Sequence, residues 1–135
     1  MGMPRKDQDL SQAEFEVLKV LWDLAPATVR DVMNELHARG RKVAYTTVLT
    51  FLTRLKQKGF VATKKSGQAY VYKPRVTRDR IVKSRLAEMI DQLFDGAAAP
   101  LVLQLMQTES FSADEIAHLR RLIDDLDEES RVEED

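Results

Sequence analysis

The sequence predicts a mostly α-helical chain with one small β-hairpin. Three observations lead there. Apolar residues recur at helical spacing in six separate stretches of the 135 residues. A single tight-turn signal, Ser66-Gly67, stands between two short runs rich in Val, Thr and Tyr. Helix-start and helix-stop residues bracket the six stretches.

The first helix opens at Ser11-Gln12-Ala13-Glu14, where Ser11 and Glu14 have the spacing of a capping box. Phe15, Leu18, Leu21 and Trp22 form its apolar stripe, and Ala25-Pro26 ends it. Trp22 is therefore expected to be mostly buried. Thr28 and Asp31 cap a second, short helix whose buried face is Val29, Val32, Met33 and Leu36. It stops at Arg39-Gly40, since glycine tolerates the left-handed conformation of a helix end. The third helix runs from Tyr45 to about Lys58, with Val48, Phe51, Leu52 and Leu55 inward and Gly59 as its stop. Its outward face carries Thr46, Thr47, Thr50, Thr53, Arg54 and Gln57. Four threonines oppose helix propensity, because β-branched residues lose rotamer freedom there. Short hydroxyl side chains on a narrow helix suit close approach to another surface.

The hairpin strands are Phe60 to Lys65 and Gln68 to Lys73, with Pro74 ending the second. Tyr70 and Tyr72 share one face. Thr77 caps a long helix reaching about Phe94, and Asp95-Gly96 breaks it. A shorter helix is expected after Pro100, with Leu101, Val102, Leu105 and Met106 apolar. Ser112 and Glu115 form a third capping box before Ile116, Leu119, Leu122, Ile123 and Leu126. The acidic residues beyond Leu126 are expected to fray.

Composition sets limits on function. The chain is 44% hydrophobic and 32% charged, the balance of a globular protein. Its apolar runs are too short to span a bilayer, and residues 1–9 lack the apolar core of a signal peptide, so the chain is expected to be cytoplasmic. With no cysteine, disulfides, thiolate metal sites and cysteine nucleophiles are excluded. The net charge of −1 hides a strong division. Residues 1–85 carry 18 Lys+Arg against 8 Asp+Glu, a net of +10, and residues 86–135 carry 3 against 14, a net of −11. That asymmetry suits a polyanion-binding half and a second half with another task.

Three helices followed by a hairpin is the order of a winged helix-turn-helix, in which the third helix enters the major groove. Thr46, Thr47 and Thr50 are then the base-reading candidates, because a hydroxyl can donate or accept and the methyl can meet thymine. Arg41 and Lys42 lead into that helix, Arg54 and Lys58 lie along it, and Lys64 and Lys65 sit near the hairpin tip. These six are the phosphate-binding candidates. Residues 1–76 form the expected DNA-binding domain. Residues 77–128 have too little chain for an independent core, so a two-fold dimer is expected to complete it. Ile81, Leu86, Met89, Ile90, Leu93, Leu101, Leu105, Leu119 and Ile123 are the dimerisation candidates, and residues 129–135 an acidic tail.

These residues resemble the penicillinase repressor family over nearly the whole chain, from about Leu10 to Leu126. The stretches that carry the likeness are Leu10 to Leu18, Leu21-Trp22, Thr28 to Val32, Ala44 to Thr50, Arg54-Leu55 through Lys58-Gly59, Ala69 to Tyr72 and Leu101 to Leu103. The resemblance implies a homodimeric repressor on an inverted-repeat operator, dimerised through its C-terminal helices. It also implies a sensor or protease partner that inactivates the repressor by cleavage. The family's Asn-Phe scissile pair aligns with Gln104-Leu105, where both residues differ. A copper-responsive branch with C-terminal cysteine pairs is not matched, since cysteine is absent.

No enzyme, cofactor or metal site is expected. His37 and His118 are far apart, and Glu115-x-x-His118 is a single copy of a spacing that metal bundles use twice. No phosphate loop, nucleophile elbow or zincin motif is present. The competing reading is a winged helix that binds protein rather than DNA. It calls for an exposed apolar patch where this chain has lysine and arginine.

Overall fold

The computed structural model describes residues 10–134. The chain runs α1 (Gln12–Leu24), α2 (Val29–Ala38), α3 (Tyr45–Gln57), β1 (Val61–Ser66), β2 (Ala69–Pro74), α4 (Arg78–Phe94), α5 (Ala98–Thr108) and α6 (Ala113–Glu134). The first five elements make a winged helix-turn-helix. Residues 1–9, whose lack of a signal-peptide pattern was noted above, lie outside the described residues, as does Asp135.

Local code and tertiary packing agree at the first two helices. Ser11 Oγ accepts the Glu14 amide at 3.1 Å while Glu14 Oε1 accepts the Ser11 amide at 2.9 Å. Thr28 and Asp31 repeat the arrangement at 3.0 Å in both directions. Each box satisfies amides that the start of a helix leaves without partners. The apolar stripes of α1, α2 and α3 converge, so that Leu18, Leu21, Val32, Val48, Leu52 and Leu55 are fully buried. Phe60 closes this core from below the hairpin. Trp22 packs against this core with most of its surface covered, in line with the expected burial: its ring edges against Phe15 at 6.0 Å and Nε1–H donates to the Val76 carbonyl at 2.9 Å.

The hairpin is antiparallel, with Val61 opposite Pro74 and Ser66 opposite Ala69. Its two-residue loop is therefore Gly67-Gln68, one residue later than expected. Gly67 has φ +64°, and the first central position of such a loop needs that left-handed conformation, which glycine adopts without a Cβ penalty. Tyr72 is buried, but Tyr70 on the same face lies 58% exposed toward the tip. Ala27, between α1 and α2, pairs with Tyr72 through amide–carbonyl bonds of 3.1 and 2.8 Å. This bridge ties the hairpin to the start of α2.

Two further expectations are corrected. α5 begins at Ala98, before Pro100. Pro100 sits in the first turn, where a missing amide N–H costs no helical bond. The acidic end does not fray after Leu126: α6 continues to Glu134, with Arg131 paired to Asp127 one turn earlier at 3.0 Å.

Among the described residues the chain falls into two compact units, one ending at Leu93 and the other beginning at Phe94. α4 joins the first because its early turns pack there. Ile81 is fully buried in that core, and Arg85 donates to the Leu10 carbonyl at 2.7 Å. Ile81 is thus taken up by its own chain and presents no surface to a second one. In the second unit, α5 has no buried residue. No helix among the described residues is long and apolar enough to cross a membrane.

Candidate nucleic-acid interface

The sequence of α3 contains no carboxylate. Its inward residues Val48, Leu52 and Leu55 fix its rotation on the core, which leaves Thr46, Thr47, Thr50, Thr53, Arg54 and Gln57 along one exposed arc. The three base-reading candidates are therefore brought together at the start of the helix. Their hydroxyls are not equivalent. Thr50 Oγ1 donates to the Thr46 carbonyl at 3.0 Å, and Thr53 Oγ1 does the same to Leu49 at 2.8 Å. Thr50 is left with an acceptor lone pair and a methyl group for a base, whereas Thr46 and Thr47 make no such bond. The N-cap of α3 is Ala44, with no side-chain capping bond. Its first-turn amides are left to solvent or to an anion.

The six phosphate candidates divide. Lys42, Arg54, Lys64 and Lys65 are exposed and form no ion pair among the described residues. Arg41 is half-exposed and pairs with Glu16 at 3.1 Å, so its charge is partly spent within the chain. Lys58 is engaged more fully within the chain. Its ammonium sits 2.8 Å from Oε1 of Glu14, a carboxylate that is 1% exposed. Its charge is thus engaged in holding a buried carboxylate of α1. Burial pushes the Glu14 carboxyl up, but the bonds from Lys58 and Ser11 outweigh that and hold it below its ordinary range.

Sequence reasoning missed a second flank of α3. Arg30, on the exposed side of α2, stacks its guanidinium over the Tyr45 ring at 5.6 Å. Tyr45 is 43% exposed at the first position of α3. An arginine and two tyrosines beside a basic helix were the available signal.

The turn before α3 is pinned as well. His37 bonds through Nε2 to the Val43 carbonyl at 2.7 Å, which fixes the segment carrying Arg41 and Lys42. Among the described residues no three His, Cys, Asp or Glu side chains converge as a metal site.

The model of the family described as penicillinase repressor matches residues 10–125. The chain is 35% identical over 119 residues to the transcriptional regulator BlaI of Mycobacterium tuberculosis, covering 87% of this chain and 85% of that protein. It is 30% identical over 121 residues to the methicillin resistance regulatory protein MecI of Mammaliicoccus sciuri, covering 90% and 98%. Among solved structures, the oxidized form of MarR from E. coli aligns with a TM-score of 0.50 at 22% identity, covering 88% of this chain and 76% of that one, a likeness of fold alone.

Proposed function

The chain belongs to the penicillinase repressor family, and on that premise we propose that it is a sequence-specific DNA-binding transcriptional repressor acting as a homodimer on an inverted-repeat operator. The observation that carries this reading is the carboxylate-free outward arc of α3, flanked by exposed Lys42, Arg54, Lys64 and Lys65. With α3 in the major groove, Thr46, Thr47 and Thr50 face base edges and the four cations face phosphates. Threonine contacts discriminate less than bidentate arginine or asparagine pairs. Operator shape and two-fold binding supply the rest of the specificity.

The dimer would form through the C-terminal helices. Leu105 and Met106 of α5 and Leu122, Ile123 and Leu126 of α6 are 43–63% exposed in the single chain. Apolar surface of that extent suits cover by a second copy. Relief of repression by a sensor-linked protease at Gln104-Leu105 fits the same scheme. That bond lies inside α5, and Thr108 Oγ1 donates to the Gln104 carbonyl at 2.8 Å. A protease would need α5 to unwind locally before cutting.

The test is binding of the purified protein to its own upstream promoter and to a scrambled duplex across a salt series. Preferential binding that weakens with salt, by about 0.9 log units per log unit of salt for each phosphate neutralised, is expected. Arg54→Ala or Lys64→Ala will weaken both duplexes and flatten that slope. Thr47→Ala will relax preference at one half-site position by roughly five- to tenfold and leave scrambled-duplex affinity nearly unchanged. Uniform weakening by Thr47→Ala and Thr50→Ala would remove the threonines from base reading.

A further inference from the structure

An open groove of about 530 Å³ runs between the start of α2, the first turns of α3 and the hairpin. It borders the reading face directly, since Tyr45 precedes Thr46 and Thr47 on the helix. Its polar lining comes from Thr28, Arg30, Tyr45, Gln68, Tyr70 and Tyr72, with no carboxylate. The groove on the other side of α2 differs, since Asp31 and Glu35 line it. Thr28 Oγ1 accepts the Asp31 amide, so its hydroxyl proton remains available to donate. Three tyrosines, a glutamine amide and a guanidinium 5.6 Å above the centroid of the Tyr45 ring complete a donor-rich, positively charged wall.

We propose that this groove seats one phosphodiester of the DNA backbone flanking the bases read by α3, with Arg30 as its principal contact and Tyr45 as the platform that orients it. The inference rests on the DNA-binding reading and extends it to residues outside α3. The cation–π contact matters because a guanidinium restrained over a ring loses little freedom when it meets two phosphate oxygens. A flexible ammonium at that position would not be aimed in the same way.

Operator duplexes carrying a single neutral methylphosphonate linkage at successive positions provide the test, with wild type, Arg30→Ala, Arg30→Lys and Arg54→Ala as full chains. Arg30→Ala is expected to weaken operator and scrambled duplex alike, by about tenfold per protomer, and to lessen the salt slope by about 0.9 per protomer. One linkage per half-site will weaken wild type by a similar factor and leave Arg30→Ala unaffected, the signature of a shared contact. Arg30→Lys will recover only part of the loss. If wild type binds its operator and Arg54→Ala weakens it, but Arg30→Ala stays within twofold, the seat is wrong and the DNA-binding reading stands. Arg30→Ala that loses affinity equally at every linkage also removes the seat. If wild type binds neither duplex at low salt, the seat and the DNA-binding reading both fall.

Discussion

Glutamate at both Leu105 and Ile123 will lower affinity for the full operator by roughly 10²–10⁴-fold while half-site binding changes by less than about twofold. Both side chains are about half exposed in the single chain, at 45% and 51%, so the replacements leave the folded monomer intact. What they disturb is cover by a second copy, because an unpaired carboxylate buried between two apolar faces has no partner. Neither residue lies near the reading helix in sequence, and α3 keeps its core contacts through Val48, Leu52 and Leu55. The loss therefore comes from mass action: two tethered half-site contacts become independent events. A chain ending at Gln104 lacks all of α6 and should behave in the same way. Sedimentation at micromolar concentration, paired with titrations on full and half operators, measures both terms. A double variant that remains dimeric, or a monomer that still holds the full operator, would overturn the assignment of these helices to dimerisation.

The parts of this fold that are legible in sequence are those whose code is local. Ser11 with Glu14, Thr28 with Asp31 and Ser112 with Glu115 each satisfy two amides within three residues, and all three boxes form. The hairpin turn was one residue off because Ser66-Gly67 and Gly67-Gln68 fit the composition equally well. What separates them is the positive φ of Gly67 at the first loop position, together with the register that buries Tyr72 and pairs it with Ala27. Ile81 has the apolar spacing of its helix, but periodicity does not say whether a face meets its own core or another chain. The packing of α4 against Leu10 and Phe15 decides that, across more than 60 residues of sequence.

The site divides along the same line. The threonine arc was readable because it violates helix propensity, and its orientation follows from the inward stripe. Which cations are available was not readable. Arg41 and Lys58 have the same basic character as Lys42 and Arg54, yet each has a glutamate of α1 for a partner. Arg30 was passed over because a lone arginine on an amphipathic helix is an ordinary solvated residue until Tyr45 is placed beneath it.

The pairing of Lys58 with Glu14 leads to an asymmetric expectation. Lys58 is the C-cap residue of α3, Glu14 lies in the first turn of α1, and the two meet at 2.8 Å across 44 residues. Lys58→Met leaves a buried carboxylate with only the Ser11 bonds, at a cost of about 3 kcal/mol, the low end for such pairs because Lys58 is itself 34% exposed. The melting midpoint should fall by about 10–20 °C. Glu14→Gln instead leaves an ammonium that water can reach and keeps a cap acceptor, so its cost is about 1 kcal/mol. The two variants also differ from wild type in a pH-dependent way. Glu14 titrates below its ordinary value of 4.5 in the folded chain, so its contribution is complete above that value and is lost as pH falls through the depressed one. The gap between wild type and Lys58→Met is therefore widest near pH 7 and closes as pH falls through the depressed value, below which Glu14 is protonated in both. Denaturant unfolding at several pH values measures this gap, and a constant gap would dismiss the ion pair as its origin. DNA binding supplies the complementary readout. A scaffold lysine, once removed at a temperature where the chain remains folded, should leave the salt slope unchanged, whereas a phosphate contact would flatten it by about 0.9 per protomer.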